Sequence, residues 1–133
     1  MRTSNRATKL MFGVALTNVA RVLTELGHLN DALKVAREGL GYRRDVGYVW
    51  GALDHLALRA ALAGHIAPAA RLAGYVDSVF LAKKTVRQPN EARARARLNQ
   101  ILQSRLDDDE MWRLLAEGAT ITEEEACRLA LSD

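Results

Sequence analysis

The side chains in this 133-residue chain that could bind a metal or act as a nucleophile are three histidines and one cysteine. His28 and His65 each follow a glycine at the same place in two similar segments, and His55 lies between them. Zinc needs its ligands about 2 Å from one ion, and equivalent places in successive segments lie too far apart for that. Cys127 lies in an apolar helical pattern, with no neighbouring base that could activate its thiol. We therefore expect a buried structural cysteine, no metal site, no cofactor and no catalytic residue, so that the chain is not an enzyme.

Clustered arginines and lysines are the next candidates, because cations bind the phosphates of nucleic acids. Arg93, Arg95 and Arg97 fall within one helical pattern, but at about 100° per residue they do not form a single stripe. No aromatic residue is interleaved with them for base stacking. The basic pairs at 43–44 and 83–84 fall at predicted helix C-termini, where cations complement the helix dipole. A nucleic-acid-binding protein that uses this basic surface is the alternative function, although we do not expect this domain itself to bind nucleic acid.

Aromatic side chains are common anchors of protein interfaces. Tyr42, Tyr48 and Trp50 cluster around a glycine-containing connection at residues 41–47. If these rings are exposed, they are the candidate residues for binding a partner. If they are buried, they pack between neighbouring helices.

A second candidate interface lies in the apolar run near the N-terminus. Leu10, Met11, Phe12 and Val14 place apolar atoms around much of a helix, more than one packed neighbour covers. Exposed apolar patches mark interaction sites, and two-fold pairing is the commonest way to bury them in soluble oligomers. We therefore predict a homodimer built around the first helix; the alternative is a monomer in which this helix folds back fully.

These candidates are positioned by a repeated helical pattern, in which residues 16–40 recur 37 residues later. Small residues are kept where two antiparallel helices come close, and a glycine is kept at the corner between them. The equivalent pairs are Ala20 and Ala57, Gly27 and Gly64, Ala32 and Ala69, and Ala36 and Ala73. The pattern predicts helical hairpins whose corner glycines have positive φ.

Helical periodicity and capping residues predict an all-α fold with seven helices in a single domain covering residues 1–133. The first hairpin covers residues 8–43 and the second residues 48–84, and divergent capping helices follow at 89–131. Asn30 and Thr122 are the predicted caps of the second and seventh helices, and Pro68 is predicted to begin the fourth. The helices are predicted at residues 8–26, 30–43, 48–63, 68–84, 91–105, 107–118 and 122–131.

The repeat resembles the tetratricopeptide repeat family in its small residues Ala20 and Ala32 and its turn glycine, Gly27. Three later segments follow in an order that is similar to the C-terminal repeat region of bacterial transcription regulators and signal-transduction P-loop ATPases of the LuxR-type or winged-helix kind. They are residues 69–74, 89–91 and 116–126. This resemblance implies hairpins stacked as an α-α superhelix and a non-catalytic module that binds a protein or peptide in its concave groove. The chain contains no phosphate-binding loop of the G-x-x-x-x-G-K-[ST] kind.

The net charge of +3 conceals a strong asymmetry along the chain. Residues 1–106 carry 17 basic and 7 acidic side chains, a balance of +10, whereas residues 107–133 carry 2 and 9, a balance of −7. An acidic end on a basic body can dock within the chain or attract a basic partner, but the favoured interpretation is an ordinary solvated pair of helices. A single cysteine fits a reducing compartment, and no apolar run reaches the roughly 18 residues of a membrane span. We expect a cytoplasmic protein.

Overall fold

The computed structural model describes residues 5–132, and this part of the chain contains helices and no β-strand. The all-α class and the number of helices are therefore confirmed for the described residues. A 3₁₀ turn, Trp50–Ala52, precedes the third helix. The helices are α1 (Arg6–Glu25), α2 (Leu29–Val46), α3 (Leu53–Leu62), α4 (Ile66–Lys83), α5 (Pro89–Arg105), α6 (Asp108–Gly118) and α7 (Glu123–Ala130).

The corners of the two hairpins have the same geometry. Gly27 has φ +85° and Gly64 has φ +94°, so the prediction of positive φ at both glycines is confirmed. His28 and His65 follow with nearly equal dihedral angles, φ −85° and −89° with ψ 68° and 71°. A residue with a Cβ pays for this left-handed backbone, which is why glycine stands at each corner.

The starts of α2, α3 and α4 are among those that depart from the prediction. The second helix begins at Leu29 with His28 in the cap position, so Asn30 lies inside the first turn and is not the cap. The fourth helix begins two residues before Pro68, which therefore lies in the first turn rather than at its start. The third helix is shorter than predicted, because Gly47 ends α2 in a left-handed conformation and a 3₁₀ turn containing Gly51 follows.

Polar caps begin both C-terminal helices, and the cap at Thr122 is the predicted one. Asp107 accepts a hydrogen bond from the Glu110 amide at 2.7 Å, and Thr122 accepts one from the Glu125 amide at 3.1 Å. Each side chain satisfies a backbone N–H that has no partner inside its helix. Pro89, the first residue of α5, has no backbone N–H and so leaves no unsatisfied donor there.

The chain divides into two compact units, one up to Ala52 and the other from Leu53. In the first unit α1 packs along α2, and in the second α4 packs against α3, α6 and α7. Leu53, Leu72 and Leu98 are fully buried in the second unit, where they form its apolar core. The division falls inside the segment predicted as the second hairpin, and the superhelical stacking of the hairpins stays a prediction.

The equivalent alanines of the repeat lie in tightly packed places. Ala57 is fully buried and Ala20 is 1% exposed. We predict that Ala57→Leu lowers the free energy of unfolding by about 1–3 kcal/mol, because an overpacked core must shift its neighbours. Thermal unfolding measures this effect, and Ala96→Leu, at an exposed position of α5, is the matched control. Unchanged melting of both Ala20→Leu and Ala57→Leu would contradict the proposed hairpin contacts.

Candidate interaction surfaces

Helix α1 presents small and hydroxyl side chains to α2. Gly13, Thr17, Ala20 and Thr24 are its buried residues, and they recur every three or four positions along one face. The Thr17 hydroxyl donates to the Gly13 carbonyl oxygen at 2.9 Å, and the Thr24 hydroxyl donates to that of Ala20 at 2.8 Å. Because these hydroxyls are satisfied within their own helix, the two helix backbones can lie close together.

A buried arginine lies where α1 packs against the C-terminal end of α2. Arg43 is only 5% exposed, and its Nε donates to the Thr17 hydroxyl oxygen at 3.1 Å. Its Nη1 donates to the Tyr48 carbonyl oxygen at 3.2 Å. A Cβ added at Gly13 would lie 2.8 Å from the Arg43 Cγ, so the glycine leaves the space that the arginine fills. Arg43 therefore fastens the end of α2 and is not available to bind phosphate.

The opposite side of α1 is apolar and exposed, and we call it the α1 stripe. Its residues recur at positions 11, 15, 19, 22 and 26, the spacing of one helical face, with Phe12 beside them. Met11 is 72% exposed, Phe12 53% and Leu26 66%. The α1 stripe consists of Met11, Phe12, Ala15, Val19, Val22 and Leu26.

The α1 stripe contains only half of the residues predicted to self-associate. Met11 and Phe12 belong to it, whereas Leu10 and Val14 are half-buried and lie towards another side of the helix. Sequence reasoning missed the C-terminal half of the stripe, which contains Val19, Val22 and Leu26. The three- and four-residue spacing from Met11 to Leu26 was the available signal.

The aromatic residues predicted to bind a partner form two pairs, not one cluster. Tyr48 and Trp50 meet edge to face with ring centroids 5.3 Å apart, and the Arg43 guanidinium lies 5.3 Å from the Tyr48 ring. Tyr42 instead contacts Phe12, with centroids 5.6 Å apart. All three predicted residues are half-buried. Only Tyr42 is therefore placed beside the α1 stripe.

The second unit contains an apolar groove that sequence reasoning did not find. It lies between α4 and α6, has a volume of about 390 Å³, and we call it the α4/α6 groove. Leu81 is 81% exposed on one side and Trp112 is 73% exposed on the other. A tryptophan in the middle of an acidic helix was the signal in the sequence. The lining residues are Gly74, Asp77, Ser78, Leu81, Trp112, Leu115, Ala116 and Ala119.

Two glycines set the contact between α4 and α6. A Cβ at Gly74 would collide with the backbone carbonyl of Leu115, and a Cβ at Gly118 would collide with that of Arg71. The helices run in opposite directions at this point, since the later residue of α4 meets the earlier residue of α6. The floor of the groove is thus held by direct contact between the two backbones.

Four charged side chains fasten the helices around the groove. Arg87 donates from Nε to the Asp54 carboxylate at 2.7 Å and from Nη2 to the Asp77 carboxylate at 2.8 Å. Arg95 also donates to Asp77 through Nη2, at 2.8 Å. These contacts join α3, α4 and α5. We call Asp54, Asp77, Arg87 and Arg95 the charged network.

Burial and ion pairing shift the pKa values of the two carboxyl groups of the network in opposite directions. Burial raises the pKa of Asp54 above 3.8, although the hydrogen bonds and charge of Arg87 oppose this rise. Burial also raises the pKa of Asp77, but the hydrogen bonds and charges of Arg95 and Arg87 together outweigh it, so that the pKa lies below 3.8. Asp54 is 2% exposed, and its charge therefore depends on Arg87.

The remaining candidates for chemistry are dispersed in the fold. Arg93 and Arg97 are exposed, whereas Arg95 binds Asp77, so the row of arginines is divided. Cys127 is 1% exposed, as predicted for a structural cysteine. Within residues 5–132 no three histidine, cysteine or acidic side chains form a group suited to a metal ion. No helix in this range is both long and apolar enough to cross a membrane.

Comparison of the chain with family models, with curated proteins and with solved structures gives no match. The resemblance to tetratricopeptide-like regions of bacterial regulators therefore stays a prediction. The functional proposals therefore depend on the α1 stripe and the α4/α6 groove.

Proposed function

We propose that this chain is a non-catalytic protein–protein interaction module that forms a homodimer through the α1 stripe. Its place in the cell would be the cytoplasm, as the C-terminal repeat region of a bacterial transcription regulator or signalling ATPase. A peptide partner in the concave groove is part of the same proposal, through the resemblance to tetratricopeptide repeats. The single observation that carries it is the α1 stripe, an exposed apolar face along most of a helix.

The distribution of side chains on α1 is the reverse of what an ordinary surface helix shows. Small residues such as Gly13 and Ala20 face the neighbouring helix, while Met11 and Leu26 face outward. Apolar surface left in water costs about 25 cal/mol for each Å². The stripe covers residues 11–26, about 22 Å along the helix axis, and a covering partner would remove this cost.

A second copy of the chain is a suitable partner, because the stripe carries no charge of its own. The charged residues between Met11 and Leu26 are Arg21 and Glu25, and they pair with each other at 3.1 Å. Two stripes can therefore face each other without placing like charges together. The aromatic pair Phe12 and Tyr42 would extend the apolar contact onto α2.

The occupied arginines argue against the nucleic-acid alternative. Arg43 is buried in the first unit, and Arg87 and Arg95 bind carboxylates in the second. Each of these cations is already neutralised or enclosed, which leaves fewer for phosphate contacts. Nucleic acid is therefore not the proposed ligand.

We predict that Met11→Lys combined with Phe12→Glu converts the dimer to a monomer. The charged side chains would have to be buried in the interface without partners, which is strongly unfavourable. Light scattering over a range of protein concentrations measures the mass, and circular dichroism should show unchanged helical content. The control is Ala92→Lys with Ala96→Glu, which places the same side chains at exposed positions of α5. A wild-type protein that is monomeric throughout the micromolar range would refute the proposed dimer.

A further inference from the structure

We propose that the α4/α6 groove binds a basic amphipathic helix of another protein. The groove belongs to the second unit and shares no residue with the α1 stripe. This inference therefore goes beyond the proposed dimer, and each can fail without the other.

The shape of the groove favours a helix as its ligand. Gly74 and Gly118 let the backbones of α4 and α6 touch, which fixes the groove floor along their crossing. Ala116 and Ala119 line the same side and are too short to fill the space above it. A second cavity of about 290 Å³ begins on the other side of Trp112 and is lined by Met111 and Leu115 among others. Trp112 and Leu115 thus line both cavities, and an amphipathic helix binds by laying its apolar face into such a hydrophobic groove.

Large apolar side chains are exposed on both rims of the groove. Leu81 and Trp112 belong to different helices and line one groove. Tryptophan is enriched among the residues that contribute most to binding. Trp112 is also one of only two tryptophans in the chain. An apolar face with side chains spaced three and four residues apart would fit between the two rims.

The charge beside the groove decides which kind of helix fits. Four consecutive acids open α6 at residues 107–110, and Asp108 lines the cavity beside Trp112. Asp77 lines the groove as well, but Arg87 and Arg95 already bind its carboxylate. Contacts to a cation would therefore come from the acidic first turn of α6. This turn carries Asp108, Asp109 and Glu110, so lysines or arginines beside the apolar face of the partner would be attracted to it.

The test uses Trp112 as a reporter. In a Trp50→Phe variant it is the only tryptophan, and its exposed ring should shift its fluorescence to shorter wavelength when a ligand covers it. The probe is a designed amphipathic peptide of leucine and lysine, about 14 residues or roughly four helical turns long. A peptide with the same leucine pattern and glutamate in place of lysine is its control. We expect a saturable shift with the lysine peptide and binding at least about tenfold weaker with the glutamate peptide.

Matched variants of the protein test the location of the site. Ala116→Arg fills the groove and should weaken binding of the lysine peptide by at least about tenfold. Ala96→Arg adds the same charge at an exposed position of α5 and should leave binding unchanged. Calorimetric titration of the chain with both tryptophans present repeats the measurement without the reporter substitution.

The outcomes separate this proposal from the proposed dimer. Retained peptide binding in the Met11→Lys, Phe12→Glu variant supports an independent site. Equal binding of both peptides, or equal loss in Ala116→Arg and Ala96→Arg, overturns the proposed charge preference or location. If Ala116→Arg lowers the mass measured by light scattering, a second copy covers the groove, and this also overturns the proposal.

Discussion

Replacing Gly74 with alanine is expected to lower the free energy of unfolding by about 3 kcal/mol, at the upper end of the usual cost of overpacking. The new Cβ would collide with the Leu115 carbonyl oxygen and would lie 2.9 Å from the Leu115 Cα. A neighbouring side chain could move to another rotamer, but a helix backbone cannot. The crossing of α4 and α6 would therefore have to open.

Gly41→Ala is the matched control for this experiment. Gly41 also lies within a helix and has nothing within 4 Å of the position its Cβ would occupy. Alanine there should raise the free energy of unfolding by about 0.5–1 kcal/mol, because glycine loses more conformational freedom on folding. Urea unfolding of both variants gives the comparison. Equal stability of Gly74→Ala and the wild-type protein would show that the two backbones are not in contact.

Replacing Arg87 with methionine is expected to destabilise the protein by about 3–5 kcal/mol near neutral pH. The Asp54 carboxylate is 2% exposed and accepts two hydrogen bonds from Arg87. The variant would leave this carboxylate buried without those donors, while methionine keeps much of the apolar side chain. Arg97→Met, at an exposed position of α5, removes the same charge and should change stability little.

The stability lost in Arg87→Met should become smaller in acid. Burial already raises the pKa of Asp54 in the folded protein, and without Arg87 the pKa rises further. A carboxyl group with a raised pKa stabilises the folded state below its unfolded value, near 3.8, and this contribution disappears as the pH rises through the folded pKa. The variant therefore regains stability relative to the wild-type protein when the pH falls.

Titration of the Asp77 carboxyl group also makes the stability difference between Arg87→Met and the wild-type protein smaller in acid. Its lowered pKa stabilises the wild-type protein above 3.8, and this contribution is lost as the pH falls through the folded value. Removing Arg87 weakens that contribution. The difference in unfolding free energy between Arg87→Met and wild type should thus be largest at about pH 7 and smaller at about pH 4. A difference that is constant or grows in acid would contradict the proposed role of Arg87.

The local features of the fold could be predicted from short stretches of sequence. The positive φ of Gly27 and Gly64 follows from the absence of a Cβ, and the caps at Asp107 and Thr122 follow from side chains that reach an amide three residues away. The number of helices could be predicted because local capping residues and turn glycines mark where helices begin and end. Such signals depend on neighbours within a turn of helix, so a single sequence contains them.

The starts of α2, α3 and α4 were less well determined. Asn30 and Pro68 are both favourable near a helix start, and propensity alone does not choose between the cap position and the first turn. Helix α3 is shorter than predicted because Gly47 ends α2 in a left-handed conformation and a 3₁₀ turn containing Gly51 precedes α3. These are displacements of a few residues that leave the order of helices unchanged.

The surfaces, in contrast, were decided by tertiary packing. Apolar residues surround much of α1, and periodicity cannot say which side meets a neighbour. The close approach of α2 selects the side of Gly13 and Ala20, because only small residues fit there, and this leaves Met11 and Val19 outside.

The second unit shows the same division between local and distant information. Asp54 and Arg87 lie 33 positions apart in the chain and meet only in the folded protein. Gly74 and Gly118 lie in different helices. Only the crossing of α4 and α6 explains why both positions lack a Cβ. Residue types and caps follow from chemistry between near neighbours. Which faces are covered depends on contacts between segments far apart in the chain, and the amino-acid order states those contacts only indirectly.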